Sequence, residues 1–288
     1  MRIFKIRNKI FDLDERTIVM GILNITPDSF SDGGKYYSLE LAVNRAITME
    51  KEGADIIDIG GESSRPGAAS VSLDEEKNRI IPVLEQLVGK LHVPISVDTY
   101  KSEVAKKALD LGASMINDIS ALRGDKKLAN VVAKYDVPIC LMHMKGNPRD
   151  MQIDPAYDDV VKEIYTFLKE RTDYAVFSDI KKENVIIDPG IGFGKRTGRG
   201  IEDNCEILKR LSEFKKLGYP IIVGASRKTF IGNICGEKNK PLPATERLEG
   251  SLAAACLAVA NGADIVRVHD IKETRRCLCL VDRVVRQH

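Results

Sequence analysis

The chain has 288 residues, 43% hydrophobic and 30% charged, which is the balance of a soluble globular protein and excludes a disordered or fibrous one. A formal net charge of +2 argues against a polyanion such as nucleic acid as the main partner. Six cysteines, with no Cys-x-x-Cys and no paired Cys/His spacing, offer no zinc framework; they read as reduced thiols of a cytoplasmic protein, with Cys256 as filling in an apolar helix.

The first residues alternate charged and apolar side chains and lack the continuous apolar core of a signal peptide. No stretch approaches the length of a membrane span. Two alternating runs around Arg7-Asn8-Lys9 predict a short hairpin over residues 1–14 that plugs one end of the fold. Eight apolar runs follow, at 17–24, 54–60, 93–98, 114–118, 137–142, 184–188, 220–224 and 263–268. Continuous apolar strands of this kind belong to a parallel sheet covered on both faces.

Between the runs the hydrophobic period lengthens to about 3.6, the helical value. Ile80, Val83, Leu84 and Leu87 mark one stripe, with Ser72 and Glu75 in capping-box register before it and Pro82 inside it, where the helix should bend or restart. Later stripes run through Val104, Ala108 and Leu111, and through Leu248, Leu252, Ala255 and Val259. Gly53, Gly112 and Gly262 stand where helix C-terminal glycines belong. The long connection 158–183 holds a further helix, and 232–242 reads as a loose loop.

Strand and helix in eightfold alternation predict a closed (β/α)8 barrel, with an open doubly wound sheet as the competing arrangement. Reactive side chains then belong at strand C-termini and on the loops after them. The exits are Asn24, Gly60-Gly61-Glu62, Asp98, Asn117-Asp118, His143, Asp188, Ser226-Arg227-Lys228 and Arg267-Val268-His269-Asp270. All but the second begin or end on a strong polar side chain, so this ring is the candidate active site.

The first exit opens into a polar loop carrying Asp28, Phe30 and Asp32 and ending on two glycines, a movable cover for a site; an inert surface turn is the alternative. Asp98, Asn117 and Asp188 can converge on one heterocycle with N–H donors, since a buried carboxylate needs donors or a cation. Taken singly each can instead cap the helix that follows. Lys228 and Arg267 supply cations to the same bowl. Asp188-Pro-Gly-Ile-Gly-Phe-Gly-Lys195 is not a phosphate-binding P-loop, because Pro189 and Arg196 stand where that motif needs Gly and Ser or Thr. Its glycines instead let the backbone run close beneath a flat ligand walled by Phe193. Gly60 to Gly67 offers hydroxyls and Arg65 to an anion. His143 and His269 lack partners at metal spacing, whereas Asn24 with phosphate oxygens and water suits Mg2+. No nucleophile–base pair is evident, which disfavours covalent catalysis.

The segments GILNITPDSFSDGG, DIIDIGGESSRPG, ISVDTYKSEVA, INDIS, LMHMKGNPRDMQ, DPGIGFGK, GASRKTFIG and RVHD closely resemble the dihydropteroate synthase family, over essentially the whole chain from Thr17. The resemblance implies one pterin-binding barrel domain over residues 1–288. It also implies a folate-pathway transferase that joins 6-hydroxymethyl-7,8-dihydropterin diphosphate to 4-aminobenzoate, releasing pyrophosphate. It further implies that Asp98, Asn117, Met142, Asp188, Lys228 and Arg267 hold the pterin, and that Ser64, Arg65, Arg267 and His269 receive the diphosphate. By the same resemblance Phe30, Pro66, Phe193 and Ser226 frame the aminobenzoate, which sulfonamides mimic in that family, and Asn24 binds Mg2+. The resemblance also implies that Arg65, Lys228, His269 and Asp28 carry the catalysis and that the protein is a cytoplasmic homodimer. Two departures stand out: Ser64 replaces the family's usual Thr, and 196–203 looks longer and more basic than usual. A noncatalytic pterin-binding paralogue and a methyltetrahydrofolate-dependent methyltransferase are the alternatives.

Overall fold

The structure is a computed structural model that describes residues 1–26, 35–63, 67, 69–147, 149–197, 202–237 and 239–286. An antiparallel hairpin opens the chain, β1 (Ile3–Ile6) and β2 (Lys9–Asp12), reversing at Arg7 in the left-handed region with φ 55°. Its buried Phe4, Ile6, Phe11 and Leu13 share one cluster with barrel residues that include Ile18, Met20, Ile56, Met115 and Cys140. The hairpin therefore closes the N-terminal mouth, as its alternation predicts.

Eight parallel strands follow: β3 (Ile18–Asn24), β4 (Ile56–Gly60), β5 (Ile95–Asp98), β6 (Met115–Asp118), β7 (Ile139–Met142), β8 (Val185–Asp188), β9 (Ile222–Val223) and β10 (Ile265–Val268). They lie in the order β8-β7-β6-β5-β4-β3-β10-β9, and a parallel bridge from Ile187 to Ile221 joins the two ends into a barrel. Every predicted run contains a strand, and seven of the eight end on the expected residue. The runs start early because their first residues belong to helix-to-strand turns, such as Ala54, whose N–H donates to Met49 O at 3.0 Å.

Side chains alternate across each strand. Met20, Ile56, Met115, Cys140, Ile186, Ile222 and Ile265 fill the barrel interior. Their neighbours, among them Val19, Ile57, Ile116, Ile139, Ile187 and Val266, pack outward against the helices. Those helices are α1 (Lys35–Lys51), α2 (Leu73–Leu87), α3 (Ser102–Leu111), α4 (Leu128–Tyr135), α5 (Val160–Phe177), α6 (Asp203–Lys209), α7 (Thr229–Cys235), α8 (Leu248–Ala260) and α9 (Ile271–Val285).

Ser72 caps α2 by accepting from Glu75 N, and Gly53, Gly112 and Gly262 take φ of 101°, 116° and 110° after their helices, as expected. Of the two outcomes expected at Pro82, a restart does not occur: α2 continues through it as one element, with Ile80, Val83, Leu84 and Leu87 buried. Two expectations need correction. The supposed loose loop starts inside α7 and is tied back, since Leu242 N–H donates to Gly232 O at 3.0 Å. Cys256 is half-buried on α8 and not core filling.

Candidate active site

Period two decides which exit residues enter the barrel. In phase with the interior layer, the uppermost inward positions are Asn24, Gly60, Asp98, Asn117, Met142, Asp188, Gly224 and Arg267, one from each strand or the residue just after it. Two of them have no side chain, and that hollows the floor. A Cβ on Gly60 would stand 3.4 Å from Asp98 Cβ and 3.7 Å from Asn24 Oδ1, and one on Gly224 would stand 3.7 Å from Arg267 Cβ.

Arg267 spans this floor. Its Nη2 donates to Asp98 Oδ2 at 2.8 Å and its Nε to Asp58 Oδ2 at 2.7 Å, and Asn117 Nδ2 donates to that same Asp58 oxygen at 3.0 Å. Burial disfavours the guanidinium cation, yet the two carboxylates outweigh it and hold its pKa above the ordinary value. Burial pushes the Asp98 carboxyl up to about 7, with Arg267 opposing and Asp58 adding to the rise. Asp188 is likewise raised by burial, although its Oδ1 accepts from Gly190 N–H at 2.7 Å. Turn capping therefore explains one oxygen of Asp188.

Lys228 enters from the start of α7, donates to Ile191 O and sits 3.9 Å from the centre of the Phe193 ring. Burial pulls its pKa down to about 7 against the pull of Asp188. Met142 and Phe193 belong to a small apolar cluster with Met144 and Met151, against which Ile119 packs. At the far rim Ser226 Oγ lies 3.0 Å from His269 Nδ1. Lys228, Arg267, Asp98, Asn117, Asp188, Met142 and Phe193 thus come together as anticipated.

The loop 190–194 is tied down in a way its glycines hide: each of its five carbonyls accepts a side-chain donor. Gly190 O and Phe193 O take Lys195 Nζ, each at 2.8 Å, Ile191 O takes Lys228, Gly192 O takes Gln152 Nε2 at 2.8 Å, and Gly194 O takes the Tyr157 hydroxyl at 2.5 Å. Gly190, Gly192 and Gly194 all have positive φ, and a Cβ on Gly190 would stand 1.8 Å from His143 O.

Several exits do not join the bowl. His143 follows inward-facing Met142, so its ring turns outward, edge-on to Phe167 of α5 at 4.8 Å and 3.1 Å from Lys195 Nζ. Asp118, also outward, is consumed by Ser120 and by Leu122 N–H. Arg227 pairs with Asp270, and Glu62 with Lys101. Asp28, Phe30, Asp32, Ser64, Arg65 and Pro66 lie outside the described residues, as do 198–201 of the unusual loop, whose Arg196 holds Asp203 with Nη2 to Oδ1 at 2.9 Å. Asp58, which binds both Arg267 and Asn117, is a member of this cluster that sequence reasoning missed. An acid inside an otherwise apolar buried strand requires a partner, and that was the available signal.

A metal at Asn24 would find a hard oxygen donor in the Asn24 carboxamide, whose Oδ1 lies 3.7 Å from where a Cβ on Gly60 would stand. That donor set fits Mg2+ and is too small for an all-protein cage: among the described residues, no group of three or more His, Cys, Asp or Glu could hold a metal ion.

The family model of pterin binding enzymes matches residues 20–269. The dihydropteroate synthase of Synechocystis sp. is 47% identical over 96% of this chain and 93% of its own length, and that of Bacillus subtilis 47% identical over 94% and 90%. Among solved structures, a Yersinia pestis dihydropteroate synthase in a sulfonamide drug complex superposes with TM-score 0.90 at 42% identity, covering 98% of this chain and 99% of that one. A Xanthomonas albilineans dihydropteroate synthase in complex with 7,8-dihydropteroate gives 0.83 at 42% identity, covering 96% of each chain. With the same barrel and near full-length similarity, this chain belongs to the pterin-binding enzymes and, among them, to the dihydropteroate synthases.

Proposed function

We infer that this protein is a transferase that condenses 6-hydroxymethyl-7,8-dihydropterin diphosphate with 4-aminobenzoate to give 7,8-dihydropteroate and pyrophosphate. The observation that carries the reading is the floor itself: Asp98, Asn117, Asp188, Lys228 and Arg267 converge in one hollow, a donor and acceptor set suited to a flat heterocycle with an anionic tail.

In this reading Asp98 and Asp188 accept from the pterin's N–H groups, Asn117 and Lys228 meet its acceptors, and Met142 lies beneath the ring while Arg267 stacks over it. Arg267, His269, Ser64 and Arg65 receive the diphosphate. Phe193, Ser226, Phe30 and Pro66 frame the aminobenzoate, and Arg65, Lys228, His269 and Asp28 act in catalysis. Mg2+ held by Asn24 would neutralise charge on the diphosphate oxygens.

The bond from the exocyclic CH2 to the diphosphate oxygen breaks first, the electron pair leaving with pyrophosphate while the electron-rich pterin spreads the positive charge. The aromatic amine then bonds to that carbon and loses a proton. No protein nucleophile is required; an enzyme-linked pterin adduct trapped during turnover would refute this order.

The six free thiols suit a reducing cytoplasm. Exposed Leu280 and Val284 on α9 and Leu257 on α8 suit a homodimer face. Incubation of the protein with the pterin diphosphate, Mg2+ and 4-aminobenzoate, with detection of pyrophosphate and dihydropteroate, tests the reading. Pterin binding without either product would instead favour a noncatalytic paralogue, and methyl transfer from methyltetrahydrofolate the other alternative.

A further inference from the structure

Arg267 is shared by two carboxylates of unequal standing. Asp58 lies wholly buried one layer beneath the floor, inward on β4 and two residues before Gly60, while Asp98 stands at the floor with 11% of its side chain exposed. One oxygen of Asp58 takes both Arg267 Nε and Asn117 Nδ2, which ties the guanidinium plane to the carboxamide plane. The other oxygen, Oδ1, is buried without a partner among the described residues, as is Ser96 Oγ on the neighbouring strand in register with it. No further donor therefore competes for Asp58 there, and its charge serves Arg267 and Asn117.

We propose that Asp58 is a positioning residue for the pterin end of the site: it is the permanent counter-ion of Arg267 and the anchor of Asn117, and it leaves Asp98 as the carboxylate that exchanges Arg267 for the ligand. The proposal rests on the pterin reading above. Its physical basis is the penalty for an unpaired buried cation. A ligand that recruited the sole counter-ion of Arg267 would strand a guanidinium in a low-dielectric interior, which is strongly unfavourable. With Asp58 in place, Asp98 can turn to an N–H donor while Arg267 keeps its Nε bond and its orientation. Asn117, held by the same oxygen through one amide hydrogen, keeps the other for a pterin acceptor.

The test uses the full chain labelled with 15N-arginine. In ligand-free wild-type protein one arginine Nε–H signal, assigned by its loss in Arg267→Lys, exchanges slowly with water. It persists when 6-hydroxymethyl-7,8-dihydropterin is added, while the Nη signals of the same residue shift. In Asp58→Asn that Nε–H exchanges at least tenfold faster. The same variant raises KM for the pterin diphosphate about 30-fold, with kcat within threefold and KM for 4-aminobenzoate unchanged. A merely structural role would lower the active fraction and leave KM alone. Ser96→Ala, which alters the neighbouring orphan and touches neither Arg267 nor Asn117, leaves all these values unchanged. Disappearance of the Nε–H signal on pterin addition, or a folded Asp58→Asn protein with pterin KM within twofold of wild type, overturns the proposal. If Asp58→Asn fails to fold, the wild-type titration alone decides. Absence of condensation by wild-type protein with the Nε–H signal intact counts against the functional reading and not against the clamp.

Discussion

Lys195 Nζ stands 3.1 Å from His143 Nδ1 with both side chains buried, and the same ammonium nitrogen reaches the carbonyls of Gly190 and Phe193. Burial pulls the Lys195 pKa far down, with Lys228 adding to the effect; burial likewise depresses His143, with Lys195 adding to it. The work of the pair is to hold the loop that bears Phe193. Lys195→Met leaves two carbonyls without their buried donor. The expected loss is about 2–4 kcal/mol of unfolding free energy, read as a lower urea midpoint, together with a raised KM for 4-aminobenzoate. Tyr157→Phe, which removes a single bond to Gly194 O, should lose only about 1 kcal/mol.

Two glycines of that loop separate folding from function. At Gly190, with φ 70°, a Cβ would overlap His143 backbone oxygen at 1.8 Å, and neither side can yield. Gly190→Ala should therefore give little folded protein. At Gly192, with φ 80°, the clash at 2.7 Å is with Cδ of the flexible Lys228 side chain. Gly192→Ala should fold with a loss of about 1–2 kcal/mol and bind pterin roughly tenfold more weakly, because it displaces Lys228. Calorimetric titration with a pterin, beside a thermal melt of each variant, separates the two outcomes.

The strands and their exits were legible because buried parallel strands are apolar along their whole length, so their C-terminal ends coincide with the first strong polar residue. What was not legible was direction. His143 and Asp118 stand at strand ends just as Asp188 and Asn117 do, but they are one residue out of step with the inward set and so face the helices. Asp58 was hidden for the opposite reason: it sits inside an apolar run, where a charge reads as an interruption rather than as the floor's anchor. Lys195 looked like an ordinary loop cation, since nothing local announces that two carbonyls and an imidazole nitrogen converge around its amine.

Asp98 is the carboxylate that meets both Arg267 and the bowl, so its removal should act on pterin more than on fold. Asp98→Ala is expected to weaken pterin binding at least 100-fold by calorimetry, equivalent to about 2.7 kcal/mol. Arg267 retains Asp58 in that variant, so the protein should stay folded with its urea midpoint little changed. Unchanged pterin affinity in folded Asp98→Ala would remove the pocket from the argument.

Lys228 sets the direction of the alkaline pH dependence. Burial lowers its pKa to about 7, so in the free enzyme the ammonium predominates below that pH and the neutral amine above it. The neutral form has lost one donor proton and its attraction for an anionic substrate, and kcat/KM reports the free enzyme's ionisations. kcat/KM for the pterin diphosphate should therefore fall as pH rises above about 7, approaching tenfold per unit, while the Asp98 carboxyl, pushed up to about 7, produces the opposite limb as pH falls. The two groups titrate in one interacting set, so the bell has apparent values belonging to the set and a maximum near neutrality. Lys228→Met should lower kcat/KM throughout and flatten the alkaline side, leaving the acid side in place. A Lys228→Met profile that still declines above pH 7 with the wild-type slope would assign that limb to another group.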